Sequence, residues 1–194
     1  MSEKGVEKET REGIGAPFVG IRDYRPERAE ELKFFPSRGL HVPVTLTVDS
    51  CENVSDSKVR LTFSQRNPML EQVMRVKGQD FLVAADFTAP IAFLLAGRNE
   101  ALQGVKGFFN AEAKIKQSGI YLTEPYDPNR IPVLLMHGLV SVPIIWRDIV
   151  PSLTSDSRLS TRYQFMVFTY PSSYPIAESA LLLRNQLAAA RVQL

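Results

Sequence analysis

The sequence predicts an α/β fold with a mixed, mostly parallel sheet that is preceded by β-hairpins and helices. Residues 131–139 are a mainly apolar run that ends in His-Gly-Leu, a pattern typical of a short strand, buried on both faces, that ends at a sharp turn. Residues 163–170 indicate a second apolar strand, and helical patterns follow at 144–150 and 175–194. Strand, helix, strand, helix is the order of a right-handed parallel α/β unit.

The composition excludes several classes of protein. The chain has 194 residues, 44% of them hydrophobic and 23% charged, which fits one globular domain with a core. No apolar run approaches the roughly 20 residues that a transmembrane helix needs. The net charge is +2 and the Lys and Arg residues are scattered, so a nucleic-acid partner is not expected.

Few residues are suited to metal or cofactor chemistry. Two distant histidines and the single cysteine, Cys51, do not form a zinc site, and Cys51 is expected to be a free thiol in or beside a strand. Neither G-x-G-x-x-G nor G-x-x-x-x-G-K-[ST] occurs, which argues against an unrelated α/β enzyme that binds nucleotides. We therefore expect no metal and no cofactor. Turn or cap roles suffice for the carboxylates Asp49, Asp80, Asp86 and Asp127.

The chain divides into three predicted segments. Residues 1–16 are expected to be a charged flexible tail, residues 17–118 a leader region of helices and antiparallel hairpins, and residues 119–194 a partial α/β core. The N-terminus lacks the apolar core of a signal peptide. The protein is expected in the cytoplasm if Met1 is the true start, and exported or membrane-anchored if an upstream signal precedes it.

Two hairpins are predicted in the leader region. Residues 44–48 and 59–63 alternate apolar and polar side chains, which indicates an antiparallel pair with a polar loop at 52–58. Residues 73–84 indicate a second hairpin with its turn at Gly78.

Two helices and a further strand are also predicted. A helix is indicated at 23–33 by an acidic cap and an early proline. The pattern at 86–96 indicates a helix that ends before Gly97 and is apolar almost all round, which is typical of core, although it could line an acyl or substrate pocket. Residues 98–118 are interpreted as a loosely helical connection to a strand at 119–123.

Two stretches carry a resemblance to a known family. Residues 124–148 read EPYDPNRIPVLLMHGLVSVPIIWRD and residues 162–171 read RYQFMVFTYP. They resemble the bacterial lipase/esterase-like branch of the α/β-hydrolase superfamily, and the resemblance extends from about residue 119 to 194. It implies that residues 131–136 belong to the N-terminal part of an α/β-hydrolase sheet. It also implies that the loop after this strand supplies a backbone N–H of the oxyanion hole, at Leu139.

Such a donor suits ester hydrolysis, because negative charge builds on the carbonyl oxygen and a preset N–H stabilises it by roughly 3 kcal/mol. Gly138 is expected to let the chain turn and the substrate oxygen approach. The family's triad histidine lies near the C-terminus, so His137 is expected to shape the turn and His41 to lie at the surface. Trp146 and Tyr170 are weak candidates for the border of a substrate cleft, with packing the more common role of a residue such as Trp146.

The nucleophile motif of the superfamily is missing. That serine sits in a G-x-S-x-G elbow on a later strand, followed by an acid and a histidine. No serine here has glycine two residues before and two residues after it. We therefore interpret the chain as the N-terminal portion of a serine hydrolase that acts on a carboxylic ester or lipid when complete and is inactive alone. The alternative is a non-catalytic binding or interaction module derived from the same fold.

The last predicted helix and the first core strand both need a partner. The helix carries an apolar stripe, expected to cover a sheet, at Ile176, Ala180, Leu183, Leu187, Ala190 and Leu194. In the family's strand order the missing nucleophile strand pairs beside residues 133–136, which leaves an open apolar edge. We expect the chain, expressed alone, to be poorly soluble or partly molten.

Overall fold

The computed structural model describes residues 8–22, 25–28, 33–36, 39–55, 57–95, 118–138, 143–171 and 174–193. The strands are β1 (Thr10–Arg11), β2 (Ala16–Arg22), β3 (Leu40–Ser55), β4 (Lys58–Arg66), β5 (Val73–Val76), β6 (Gln79–Leu82), β7 (Ala85–Asp86), β8 (Gly119–Leu122), β9 (Ile131–Met136) and β10 (Tyr163–Thr169). The α-helices are α1 (Ala89–Leu95), α2 (Ile149–Ser155), α3 (Ser157–Ser160) and α4 (Ile176–Gln193). Short 3-10 helices lie at Pro26–Arg28 and Pro143–Arg147.

The predicted fold class is wrong. The described strands form four small sheets with the orders β1-β7, β2-β3-β4, β5-β6 and β8-β10-β9. Among these described strands β9 and β10 make the one parallel pair, and the other pairs are antiparallel. A parallel pair needs a crossover of a dozen or more residues, whereas the short turns that join β3 to β4 and β5 to β6 allow only antiparallel pairing. The described part of the chain is therefore a mainly antiparallel β-structure with few helices, and not the mostly parallel sheet that the sequence predicted.

The sheet β2-β3-β4 is built around β3, which has 16 residues. The antiparallel pair predicted here is confirmed, with Val48 opposite Phe63. The polar loop predicted at 52–58 is mostly strand instead, because β3 continues to Ser55 and β4 begins at Lys58. This end of the pair is exposed on both faces, so strand pairing there needs no apolar side chains.

The hairpin of β5 and β6 is confirmed. Lys77 and Gly78 form its two-residue turn and have φ angles of 49° and 85°. Positive φ at both central residues is the signature of a type I′ turn, whose twist matches that of the flanking strands. The glycine adopts this conformation without strain, which explains why it marked the turn in the sequence.

Part of the predicted N-terminal tail is held by the rest of the chain. β1 pairs with β7, and Arg11 donates from Nε to the Val83 carbonyl at 2.8 Å and from Nη2 to the Pro68 carbonyl at 2.7 Å. Residues 8–16 are therefore fixed by hydrogen bonds. Residues 1–7 lie outside the described residues, where the flexible tail stays a prediction.

The start of the apolar helix in the leader region is confirmed. Asp86 Oδ1 accepts hydrogen bonds from the backbone N–H groups of Thr88 at 2.9 Å and Ala89 at 2.8 Å, which satisfies amides at the start of α1. The predicted end before Gly97 and the connection after it fall in residues 96–117, outside the described residues.

The predicted strands of the C-terminal segment are confirmed as β8, β9 and β10, and its last helix as α4. The helical pattern at 144–150 corresponds to the 3-10 helix Pro143–Arg147 and the start of α2. Within the helix predicted at 23–33, Pro26–Arg28 form a 3-10 helix, and residues 29–32 lie outside the described residues.

One apolar cluster joins the leader region to the C-terminal segment. Its buried members are Phe34, Phe35, Leu40, Ile120, Leu122, Met166 and Phe168. The Leu122 N–H also donates to the Phe34 carbonyl at 2.8 Å, and Ser160 Oγ donates to the Met69 carbonyl at 2.8 Å. The two predicted segments therefore share a core.

The face of α4 that packs on this cluster overlaps the predicted stripe only in part, at Leu183 and Ala190. Leu182, Leu183 and Ala190 contact the cluster, whereas Ile176 is 81% exposed and Leu187 is 47% exposed. Apolar residues occur on several sides of α4, so spacing alone did not identify the buried face. In the described part of the chain, no helix combines the length and the apolar character needed to cross a membrane.

A buried ion pair holds the loop between β8 and β9. Arg130 Nη1 and Nη2 donate to the two carboxylate oxygens of Glu124 at 2.6 and 2.8 Å, and both side chains are 4% exposed. Arg130 Nη2 also donates to the Tyr163 carbonyl at 2.5 Å. The Gln164 side chain accepts from the Asp127 N–H at 3.0 Å and donates to the Asp127 carbonyl at 2.8 Å. Since β8 and β9 flank β10, the loop crosses the start of β10, where these bonds fix it.

Burial raises the pKa of the Glu124 carboxyl above its ordinary value of 4.5, and the hydrogen bonds from Arg130 oppose that rise. Between 4.5 and the raised pKa, the folded chain holds this proton more tightly than the unfolded chain does. The contribution of the carboxyl to the free energy of unfolding is therefore complete below 4.5 and is lost as the pH rises through the raised pKa. We infer that the pair fixes the loop rather than adding net stability near neutral pH.

We expect that breaking this pair from one side destabilises the chain more than replacing both partners. Arg130→Met leaves a buried carboxylate unpaired, and Glu124→Leu leaves a buried guanidinium unpaired, so each lowers the free energy of unfolding by about 3–5 kcal/mol. The double variant lowers it by less than either single one. Urea unfolding of the three variants measures this, and a double variant as unstable as the sum of the singles would contradict it.

One face of the β3-β4 pair is apolar and exposed. Ser64 and Arg66 lie on the other face, where both hydrogen-bond to Asp49. Side chains alternate along β4, so its odd-numbered residues lie on the opposite face. Val48 of β3, which pairs with Phe63, lies on that face too. The apolar side chains there are each 48–58% exposed, namely Val48, Val59, Leu61 and Phe63. Exposed apolar surface of this kind favours aggregation.

We expect the double variant Leu61→Thr/Phe63→Thr to raise the soluble, monodisperse fraction of the chain expressed alone. Threonine keeps a high strand propensity while it removes apolar surface. Arg60→Thr, on the polar face of the same strand, is the control and leaves aggregation unchanged. Size-exclusion chromatography with light scattering measures the fraction. A wild-type chain that is already a monodisperse monomer with a sharp cooperative melt would overturn this expectation.

Candidate functional site

The carboxyl ends of β9 and β10 meet at one edge of their sheet. The strands are parallel, and Met136 at the end of β9 lies opposite Phe168. The chain continues from β9 into His137 and Gly138, and from β10 into Tyr170. Ligands of parallel α/β units bind beyond the carboxyl ends of the strands, so a site is expected at this edge.

β9 does not lie in the middle of its sheet. The strand order β8-β10-β9 places it at an edge within the described residues, and Ile131 and Met136 are each about half exposed. The prediction of a strand buried on both faces is therefore wrong, because an apolar run does not reveal what covers it. Among the described strands β10 is the neighbour of β9, and an open apolar edge on its other side stays a prediction.

His137 and Tyr170 form the centre of the site. Their rings are stacked, with centroids 4.3 Å apart and planes 8° from parallel. The Tyr170 hydroxyl donates to the His137 backbone carbonyl at 2.7 Å. The Tyr170 ring also stacks on Phe168 at 5.3 Å, which ties it to the apolar cluster. These contacts fix the first peptide after β9.

The His137 side chain is buried, with 3% of its surface exposed. Its Nδ1 lies 3.2 Å from the Gly138 carbonyl oxygen. The ring thus contacts Tyr170 through its face and the turn backbone through its edge. That His137 shapes the turn stays a prediction, which these contacts favour, and a role as general base is not proposed.

Gly138 is exposed, and the space around its Cα is open. A Cβ built on it meets no atom within 4 Å among the described residues, and its φ is not in the left-handed region. Neither strain nor crowding among the described residues is seen at Gly138, and the expectation that it lets the chain turn and the substrate oxygen approach stays a prediction. Leu139, the predicted oxyanion donor, lies outside the described residues.

The other predicted site residues lie apart or serve other roles. His41 is 9% exposed rather than at the surface, and its ring lies 5.5 Å from that of Phe93. The alternating pattern that follows His41 in the sequence did not reveal that α1 packs against β3. Trp146 lies in the 3-10 helix that contacts β10, and its buried Nε1–H has no acceptor among the described residues.

The remaining chemical groups have structural roles. Cys51 is an exposed free thiol in β3, as predicted. Asp127 Oδ1 accepts from the Asn129 N–H at 2.9 Å, and Asp80 lies 3.7 Å from Arg75, so neither carboxylate is paired with another acid. Within the described ranges, no group of three or more His, Cys, Asp or Glu side chains could hold a metal ion.

Sequence patterns did not indicate the residues that position the turn after β9. Glu124, Arg130 and Gln164 are nearly fully buried and fix the loop that leads into β9. The available signal was an acidic and a basic residue six positions apart in a proline-rich loop between two strands. That pattern is also common in solvated loops, so burial could not be inferred from it.

Comparisons with models of known protein families, with curated proteins and with solved structures found no match for this chain. The candidate site therefore depends on its geometry and on the sequence pattern of the turn.

We expect His137→Ala to lower the free energy of unfolding by at least about 1 kcal/mol more than His137→Phe. Phenylalanine preserves the stacking on Tyr170, whereas alanine removes it and leaves a cavity. Urea unfolding of the two variants measures the difference. Equal destabilisation by both replacements would contradict a role of the stacked rings in holding the turn.

Proposed function

We propose that the chain forms the oxyanion-loop part of a serine hydrolase that cleaves a carboxylic ester or lipid. The observation that carries the proposal is the turn at His137 and Gly138, held at the end of a parallel strand pair by the ring and hydroxyl of Tyr170. Its backbone is held by contacts within the chain, and among the described residues no atom lies within 4 Å of a Cβ built on Gly138. A preset turn of this kind is what an oxyanion hole requires.

The resemblance of residues 124–148 and 162–171 to the lipase/esterase-like branch of the α/β-hydrolase superfamily supports the same proposal. The proposal does not depend on a mostly parallel sheet around the site. It depends on the parallel pair β9-β10 and on the turn at its carboxyl end.

The proposed chemistry is acyl transfer. A serine hydroxyl attacks the ester carbonyl, and the carbonyl oxygen becomes negatively charged in the tetrahedral intermediate. The Leu139 N–H donates a hydrogen bond to that oxygen, and collapse of the intermediate expels the alcohol. Water then hydrolyses the acyl-enzyme through a second oxyanion at the same position.

The nucleophile, the acid and the general base of this reaction are not assigned to residues of this sequence. The sequence contains no G-x-S-x-G motif, and His137 is committed to the turn. We propose that these groups come from a further part of the complete protein, brought beside the open edge of β9. The substrate is a small-molecule ester or lipid, and Tyr170 and Trp146 remain candidates for the border of its cleft.

We expect the protein purified from its natural source to hydrolyse p-nitrophenyl butyrate and to react with a fluorophosphonate probe. In that protein, Leu139→Pro removes the backbone N–H and lowers kcat by about 10²–10³-fold. Leu139→Ala, which retains the N–H, is the matched control and keeps kcat within severalfold. Steady-state kinetics measure both, and circular dichroism establishes that each variant is folded.

Two results would count against the proposal. Natural protein that neither hydrolyses esters nor reacts with the probe would exclude serine hydrolase activity. A folded Leu139→Pro variant with the kcat of Leu139→Ala would show that this N–H does not stabilise the oxyanion.

A non-catalytic interaction module is the second candidate function. It is favoured by the apolar face of β3 and β4, because large apolar surfaces on soluble proteins often mark sites of association. The kinetic experiment separates the two candidates, since a non-catalytic module has no ester hydrolysis for Leu139→Pro to reduce.

A further inference from the structure

We propose that Tyr170 is a positioning residue of the oxyanion loop, which it serves by locking the orientation of the peptide between His137 and Gly138. The inference rests on the proposed function. It assigns to the hydroxyl of Tyr170 a specific task that the packing of its ring does not require.

The lock is a single hydrogen bond to a defined peptide. The Tyr170 hydroxyl donates to the His137 carbonyl at 2.7 Å, which holds that carbonyl toward β10. In a trans peptide the C=O and the following N–H point in opposite directions, so the Gly138 N–H points away from the tyrosine hydroxyl.

Without the lock, the turn has freedom to rotate. Gly138 has no side chain to restrict the backbone, and among the described residues no atom lies within 4 Å of a Cβ built on it. His137 Nδ1 holds the Gly138 carbonyl oxygen at 3.2 Å, whereas the Tyr170 hydroxyl holds the carbonyl of the peptide before it. A rotated peptide would turn the His137 carbonyl oxygen toward the open side of the turn. A carbonyl dipole directed at a developing oxyanion repels it, whereas an N–H stabilises it.

The tyrosine itself is rigidly held. Its ring lies between the His137 ring at 4.3 Å and the Phe168 ring at 5.3 Å, and Phe168 belongs to the buried apolar cluster. The contact with Phe168 therefore ties the tyrosine to the core, and the contact with His137 ties it to the loop. Tyr170 follows β10 directly, so its contacts align the end of β9 with the end of β10.

The test compares Tyr170→Phe with Tyr163→Phe in the natural full-length protein. Both changes remove one hydroxyl from residues of the β10 segment, and Tyr163 lies at the opposite end of that strand. Tyr170→Phe is expected to lower kcat for p-nitrophenyl butyrate roughly three- to tenfold, the effect of one lost hydrogen bond, with KM unchanged. Tyr163→Phe leaves both constants unchanged.

A second measurement tests the hydrogen bond from Tyr170 to the His137 carbonyl without an activity assay. The ¹⁵N signal of the Gly138 amide is expected to gain microsecond-to-millisecond exchange broadening in Tyr170→Phe and not in Tyr163→Phe. Replacement of Tyr170 by 4-aminophenylalanine, which keeps a donor at the same place, restores kcat and the sharp signal. If Tyr170→Phe does not fold, 4-amino- and 4-methylphenylalanine at this position give the same comparison at matched size.

The outcomes separate this inference from the proposed function. If the wild-type protein hydrolyses the ester and folded Tyr170→Phe has the same kcat, the positioning role is overturned and the proposed hydrolase function is retained. A reduced kcat that 4-aminophenylalanine does not restore overturns the lock and assigns the loss to packing. Absence of hydrolysis in the wild-type protein removes the proposed function and the catalytic meaning of the lock, even where the Gly138 signal broadens.

Discussion

The buried ion pair of Glu124 and Arg130 is the constraint on which the geometry of the site depends. The chain leaves β8 on one side of β10 and enters β9 on the other, so it must cross the start of β10. Arg130 closes this crossing by bonding to Glu124 and to the Tyr163 carbonyl at once. A buried charge pair tolerates little displacement, because an unpaired charge in the interior is costly.

The position of that crossing determines where β9 begins beside β10. It fixes the register in which Ile131 lies opposite Tyr163 and Met136 opposite Phe168. That register brings the residue after β9 to the residue after β10, and the His137 and Tyr170 rings stack there. The site is thus positioned from the start of the strand pair, about six residues away from the turn itself. The proposed oxyanion loop needs this precision, because a donor displaced by about 1 Å loses much of its effect.

Local sequence patterns identified helices and strands, but they did not reveal which elements pack against one another. Strand alternation and the Gly78 turn identified the hairpins, since turn geometry and pairing of neighbouring strands are encoded within a few residues. The apolar run of β9 predicted a strand but not its place at an edge among the described strands. The predicted stripe of α4 contacts the core at Leu183 and Ala190 but not at Ile176, which is exposed. Which sheet neighbour or core covers an element is decided by distant residues. For the same reason the sequence singled out His137 and Tyr170 but not the contact between them, and it gave no sign of Glu124, Arg130 and Gln164.

The most direct test of the account is a crystal structure of the natural full-length protein after reaction with a fluorophosphonate. The account predicts a covalent adduct on a serine, with a phosphonyl oxygen about 2.7–3.1 Å from the Leu139 nitrogen. It also predicts that the Tyr170 hydroxyl still donates to the His137 carbonyl in the adduct. A protein that forms no adduct, or an adduct whose phosphonyl oxygens lie beyond hydrogen-bonding distance of the Leu139 nitrogen, would contradict it.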